Sequence, residues 1–266
     1  MLIALIRTQI FDFEVEKNLN NLTDICNNLS NTIDWVIFPE MFISGFVMDT
    51  SLCEISKTRG LDFMHKLAIN KSCSVEGSLL IAENNTIPRK NTIYRNRHYL
   101  ISQNKEWYYD KQKLFSLSNE AKVLTAGEES TIAKVNEWNV NLKTCYDLRF
   151  ADICKNGIQY SKYNKQCPLF NYDIMTFVAS WPWGRSEQWE TLLKARAIEN
   201  QCYIIGVNRY GKDSMNLDYG GECYVIDMKG NILTPLSQST QNILYYNIEK
   251  KDLDEGRHKF PVYLDW

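Results

Sequence analysis

Short apolar runs and helical stripes alternate along this chain from its first residues. Residues 2–7 read as a compact apolar strand, its apolar run interrupted at Arg7. Leu19, Leu22, Ile25, Cys26 and Leu29 then recur at helical spacing, and Asp34-Trp35-Val36-Ile37-Phe38 returns to strand. Leu61, Met64, Leu67 and Ala68 predict a second helix, with a strand at 78–82 after it. Residues 92–101 and 107–109 predict a hairpin across the polar turn Ser102-Gln103-Asn104-Lys105. Further strands are predicted at 131–136, 139–145, 173–179, 202–208, 222–227, 231–235 and 243–248. Between them, Ser186 reads as the N-cap of a helix carrying Trp189, Leu192, Leu193 and Ala197. The asparagine-rich stretch from Asn18 to Asn31 reads as the solvated face of the first helix. No Gly-, Ser- or Pro-rich linker interrupts the 266 residues, so one α/β domain over 1–266, its mixed sheets covered by helices, is expected.

Charge narrows the partners. Thirty Lys and Arg against 32 Asp and Glu leave a formal net charge of −2, with no excess to neutralise a phosphate backbone, so nucleic acid is not expected as a partner. No run approaches the roughly 18 to 20 apolar residues that cross a bilayer. The first run is also too short for the core of a secretion signal, so a cytoplasmic protein away from the membrane is expected. The eight cysteines, at 26, 53, 73, 145, 154, 167, 202 and 223, show no paired spacing and read mostly as reduced, buried small hydrophobes. His65, His98 and His258 stand apart from one another and from any cysteine pair, and neither GxGxxG nor a P-loop is present. Neither a metal nor an organic cofactor is expected.

Three places break the pattern, because a charged or nucleophilic residue ends an apolar strand. They are Glu40 after Trp35-Val36-Ile37-Phe38-Pro39, Lys111 after Trp107-Tyr108-Tyr109-Asp110, and Cys145 after Val140-Asn141-Leu142-Lys143-Thr144. Each alone reads first as a capped strand end. Together, at the carboxyl ends of strands where α/β proteins bind ligands, they hold what amide hydrolysis requires. A thiol attacks, a carboxylate moves its proton, and an ammonium with a backbone N–H steadies the oxyanion.

Longer motifs decide between these readings. Phe38-Pro39-Glu40-Met41-Phe42 with Gly45-Phe46, Tyr109-Asp110-Lys111-x-x-Leu114-Phe115 and Cys145-Tyr146-Asp147-Leu148-Arg149-Phe150 stand in order. Ala179-Ser180-Trp181-Pro182, the run Leu192–Gln201, Gly206-Val207-Asn208-Arg209 and Asp218-Tyr219-x-Gly221 follow. The chain resembles, over nearly its whole length, the nitrilase (carbon–nitrogen hydrolase) superfamily and its ω-amidase-like branch. The resemblance implies a four-layer α-β-β-α sandwich, a homodimer or larger homo-oligomer, and a small-molecule amide as substrate. It makes Glu40 the general base, Lys111 the catalytic lysine, Cys145 the nucleophile and Glu120 a second glutamate beside them.

The branch implies the terminal amide of a small 2-oxo dicarboxylic acid, such as 2-oxoglutaramate or 2-oxosuccinamate, cleaved to acid and ammonia through a thioester. The backbone N–H of Tyr146 would then help hold the oxyanion. Arg149 could grip the substrate carboxylate or pair with a nearby acid, and Arg185 is a second candidate. Phe42, Phe46 and Trp181 are expected as apolar walls, and Arg196 and Glu199 as structural residues. Lys113 stands where the branch has histidine, Ala151 where it has proline, and Ser180 where asparagine is common. The segment 151–171, with Cys154 and Cys167, is longer than usual. These departures bear on pocket shape and leave three alternatives from the same superfamily open: a nitrilase, an N-carbamoyl hydrolase or a deaminated-glutathione amidase. A catalytically idle binding scaffold is a further alternative, against which the intact Glu40, Lys111 and Cys145 argue.

Overall fold

The unbroken apolar runs are the centres of two stacked sheets. A computed structural model describes residues 1–83, 92–103, 105–160, 168–234 and 241–266. In the first sheet β1 (Leu2–Ile6), β2 (Trp35–Ile37), β3 (Ser74–Glu83), β4 (Ile93–Ile101) and β5 (Glu106–Asp110) lie side by side. The second sheet contains β6 (Ile132–Val135) and β7 (Trp138–Thr144), and a two-stranded ribbon of β8 (Ile158–Tyr160) and β9 (Pro168–Phe170) follows in the chain. The second sheet resumes with β10 (Ile174–Ala179) and β11 (Tyr203–Asn208). A second ribbon, β12 (Tyr210–Lys212) with β13 (Asp218–Gly220), precedes its edge strand β14 (Tyr224–Ile226). The last strand, β15 (Ile243–Asn247), returns to pair with β1. β1, β2 and β3 are parallel, as are β7, β10 and β11, and the remaining pairs in both sheets are antiparallel.

Side-chain alternation assigns the layers. Ile3, Leu5, Trp35 and Ile37 face the second sheet and pack on Val140, Leu142, Ile174, Val178 and Ile205. Their neighbours Ala4, Ile6 and Val36 point the other way, onto α1 (Val15–Asn27) and α2 (Cys53–Lys71). After the short α3 (Glu120–Val123), α4 (Ser186–Asn200) lays Trp189, Leu193 and Ala197 over Met175, Phe177, Ile204 and Ile226 on the outer face of the second sheet. The result is the expected α-β-β-α order. Every central strand is covered on both faces, which is why the runs are continuously apolar rather than alternating.

Some elements differ from expectation. Ser186 is the first residue of α4 and makes no capping bond; Arg185 holds the N-cap position. Over the strand expected at 231–235, Ile232 makes a single bridge to Ile226, and Pro235 lies outside the described residues, as do Asn104 of the hairpin turn and Cys167. Asn18 is buried rather than solvated. Its amide takes the Phe11 N–H at 2.8 Å and donates to Phe11 O and Ile43 O at 2.7 and 2.9 Å, tying α1 to the loops beside it. Helix α5 (Lys250–Lys259) has no strong apolar stripe. It is anchored by Leu253 and by Arg257, which pairs with Asp173 at 2.9 Å.

Candidate active site

Strand geometry brings the three marked residues to one place. Glu40 follows β2 and Lys111 follows β5 in the first sheet, while Cys145 follows β7 in the second. Lys111 Nζ lies 2.9 Å from Glu40 Oε1 and 2.9 and 3.0 Å from the two oxygens of Glu120, the residue that opens α3. Cys145 is close enough to feel the charges of Glu40, Lys111 and Glu120, and it shares a cavity wall with Lys111. Glu40, Lys111 and Glu120 are all buried. Buried charges are costly unless paired and hydrogen-bonded, and this cluster is both.

Each carboxylate is built as an acceptor. Glu40 Oε1 takes Asn96 Nδ2 at 2.8 Å besides Lys111, and its Oε2 takes the Ser180 N–H at 2.9 Å. Glu120 Oε2 takes the Phe115 N–H at 2.7 Å, and Oε1 takes Asn96 Nδ2 at 3.3 Å. The amide of Asn96, from the middle of β4, therefore bridges both glutamates. Burial opposes the charge on Lys111, but the carboxylates of Glu120 and Glu40 outweigh it and raise its pKa, so it stays an ammonium. Burial pushes Glu120 above the usual carboxylate range, with Lys111 pulling the other way. Burial and the charge of Glu40 push the Cys145 thiol well above its ordinary value, against the pull of Lys111. At rest Cys145 is therefore held as a thiol, which a base would have to deprotonate before it could attack.

Two left-handed residues shape the turns at these strand ends. Cys145 has φ +47° and Met41, next to Glu40, has φ +46°, a region costly for residues with a Cβ. At Cys145 this turn lifts the thiol off the end of β7 and starts a one-turn helix, Cys145–Arg149. The first N–H groups of such a turn, including that of Tyr146, have no partner within it. On the lysine side, Gly127 donates its N–H to Lys111 O at 2.9 Å. A Cβ at Gly127 would fall 2.2 Å from Asp110 O, so only glycine lets this segment lie against the lysine-bearing turn.

Lys111 and Cys145 line a cavity of about 440 Å³ with Phe46, Phe115, Tyr146 and Trp181. Arg149 and Arg185 line it too. Arg149 donates to the neutral Gln188 at 2.5 Å and stacks 4.8 Å from the Trp181 ring, while Arg185 lies over Phe115 at 5.8 Å. Neither takes part in an ion pair among the described residues, so the expectation that Arg149 pairs with a nearby acid is not met. Phe42 is a correction. It is fully buried in the core between α2 and the first sheet, stacked on Phe38 at 4.8 Å, and is no cavity wall. Arg196 has the expected structural place, paired with Glu199 at 2.9 Å and donating to Leu148 O at 2.7 Å. Asn96 and the N–H of Ser180 escaped the sequence reading; Asn96 stands between Arg95 and Arg97 in a strand rich in polar residues, which gives the sequence no signal for it.

Comparison with known proteins agrees with this fold and gives the family. A family model described as carbon–nitrogen hydrolase matches residues 2–258. An ω-amidase of Escherichia coli K12, YafV, is 31% identical over 234 residues, covering 87% of this chain and 84% of its own. A 2-oxoglutaramate amidase of Bacillus subtilis is 26% identical over 251 residues, covering 94% and 91%. Among solved structures, XC1258 of Xanthomonas campestris, a CN-hydrolase superfamily protein with an arsenic adduct in its active site, superposes with a TM-score of 0.88. It is 28% identical, and the match covers 100% of this chain and 97% of that one.

Proposed function

The chain belongs to the carbon–nitrogen hydrolase family, and on that premise we propose that it is an ω-amidase, releasing ammonia from the terminal amide of a small 2-oxo dicarboxylic acid. The observation that carries the reading is the meeting of Glu40, Lys111 and Cys145 beneath a cavity whose wall holds two guanidinium groups outside any described ion pair. The names of the relatives support the same substrate class.

The geometry supports a thioester route. Glu40, kept as an acceptor by three donors, takes the Cys145 proton as sulfur bonds to the amide carbon. The carbonyl oxygen becomes an oxyanion held by Lys111 and the Tyr146 N–H, each such donor being commonly worth about 3–4 kcal/mol. In the free site the three ammonium hydrogens of Lys111 face Glu40 and both oxygens of Glu120. The two-point contact with Glu120 lets one hydrogen turn to the substrate while the ion pair persists. Glu40 returns the proton to nitrogen and ammonia leaves. Glu40 then takes a proton from water as water attacks the thioester, and the acid departs with the thiol restored. Arg149 and Arg185 supply the cationic end of the cavity for the substrate carboxylate, and Phe46 and Trp181 supply apolar walls.

A cytoplasmic homo-oligomer goes with this reading. The seven described cysteines are free thiols, which supports a reducing compartment, and no helix among the described residues is long and apolar enough to cross a membrane. The test is ammonia release from a panel of 2-oxo acid amides, simple amides, N-carbamoyl compounds and nitriles. Wild type should favour the 2-oxo acid amides, and Cys145→Ala should be folded and inactive. Trapped acyl-enzyme should carry its mass on Cys145. An active Cys145→Ala enzyme overturns the mechanism, and carbon dioxide released with the ammonia would mark carbamoyl cleavage instead.

A further inference from the structure

One buried carboxylate beside the site has no part in this chemistry. Asp147, two residues after Cys145, is fully buried and does not line the cavity. Its oxygens take three donors from three segments. Oδ2 accepts the Tyr109 hydroxyl of β5 at 2.8 Å and the Thr144 N–H of β7 at 2.9 Å, and Oδ1 accepts the Lys113 N–H, just past Lys111, at 2.8 Å. The Thr144 side chain answers by accepting the Asp147 N–H, a reciprocal cap that encloses Cys145 and its left-handed turn. Thr144 Oγ1 lies 3.4 Å from His98 Nδ1, whose Nε2 lies 2.8 Å from the buried Glu76, so the cap is also tied back into the first sheet. No described ion pair compensates the charge of Asp147, and burial raises its pKa, with Lys143 opposing.

We propose that Asp147 is a positioning residue that locks the Cys145 turn and the Lys111 segment into one frame and so sets the geometry between nucleophile and ammonium. The inference rests on the reading of Cys145 as nucleophile. It explains why both sheets contribute to the site without drift: Asp147 is the point where β5, the turn after it and the end of β7 share hydrogen bonds. All three partners donate, so only a group that accepts on both oxygens fits. Asparagine must turn an N–H₂ toward one of those donors.

The experiment compares Asp147→Asn and Tyr109→Phe with wild type and Cys145→Ala, using 2-oxoglutaramate turnover and the rate at which iodoacetamide alkylates Cys145. A displacement of the order of an ångström typically costs about 10²-fold in rate, so Asp147→Asn should lose about that in kcat with KM within about threefold. Its Cys145 alkylation rate should change as well. Tyr109→Phe, which removes one donor of three, should lose about tenfold in kcat. A merely structural Asp147 would lower thermal stability and the fraction of titratable sites, but not kcat per site. If Asp147→Asn does not fold, Tyr109→Phe decides. Wild-type kcat per site and wild-type alkylation in the folded variants overturn this proposal alone, and an active Cys145→Ala enzyme overturns it together with the nucleophile reading.

Discussion

Lys111 and Arg149 are cations on one cavity wall with very different neighbours. Lys111 is buried against two carboxylates, which fix its charge and its place beside the thiol. Arg149 is exposed, bonded to a neutral amide and stacked on Trp181, so its charge is available to a ligand. Replacing Arg149 with Ala removes a charge-assisted contact of about 1.5–3 kcal/mol, a ten- to hundredfold rise in KM for an amide bearing a carboxylate. A neutral amide should keep its KM, and steady-state kinetics on the two substrates would show it; equal rises for both would remove Arg149 from substrate binding. The three catalytic candidates were legible because each breaks an apolar run where a strand ends. Asn96 and Asp147 were not, because a polar residue inside a buried strand or a one-turn helix looks the same whether it points at a reactive group or caps a backbone. Phe42 misled for the complementary reason: motif position says that an aromatic is required, not which side of the sheet it faces.

At the scale of elements, legibility followed burial. β1 and β2 are sandwiched between layers, and α1 carries a clean apolar stripe, so their patterns stood out. α5 was missed because its ten residues, KKDLDEGRHK, bury only Leu253 and Arg257, and it is held by the ion pair to Asp173 rather than by an apolar face. The ribbon β12–β13 was missed because its residues are mostly solvent-facing and only three long on each side. The contact of α4 with the second sheet makes a sharper claim. Gly206 in β11 sits under that helix, and a Cβ there would lie 2.7 Å from Leu193 Cδ1 and 2.8 Å from Trp189 Cζ2. Leu193 can shift its methyl, but the Trp189 ring is buried and its Nε1 is bonded to Glu222 O at 3.1 Å. Gly206→Ala should therefore cost about 1–3 kcal/mol through overpacking. A melt should show the midpoint lowered by roughly 2–4 °C for each kcal/mol, and an unchanged midpoint would mean that α4 is less firmly seated than its packing implies.

For the whole molecule, the buried cysteines set a pH limit. Cys26 and Cys73 share the core between the first sheet and its helices, Cys154 lies on the outer face of the second sheet and Cys223 between the sheets, and burial pushes each from its ordinary value of 9.0 up to about 12. Cys202 is raised further by the same cause. Below pH 9 these thiols are protonated in folded and unfolded chains alike and contribute no slope. Between pH 9 and about 12 the unfolded chain has released their protons while the folded chain still holds them, so the unfolded state binds fewer protons and stability falls as pH rises. Each proton of difference amounts to about 1.4 kcal/mol per pH unit, so several thiols acting together can exhaust a net stability of about 5–15 kcal/mol within that window. Buried tyrosines add in the same sense; Tyr99, at about 12, is one. Urea unfolding followed under reducing conditions from pH 8 to 11 should show a midpoint flat at first and then falling steeply above about 9. Replacing Cys26 and Cys73 with Ala separates thiols from tyrosines: the double variant starts less stable, because two packed side chains are truncated, but its midpoint falls more gently with pH. A wild-type midpoint that stays level to pH 11, or a double variant whose slope matches wild type, would show that these thiols are not held protonated by the core.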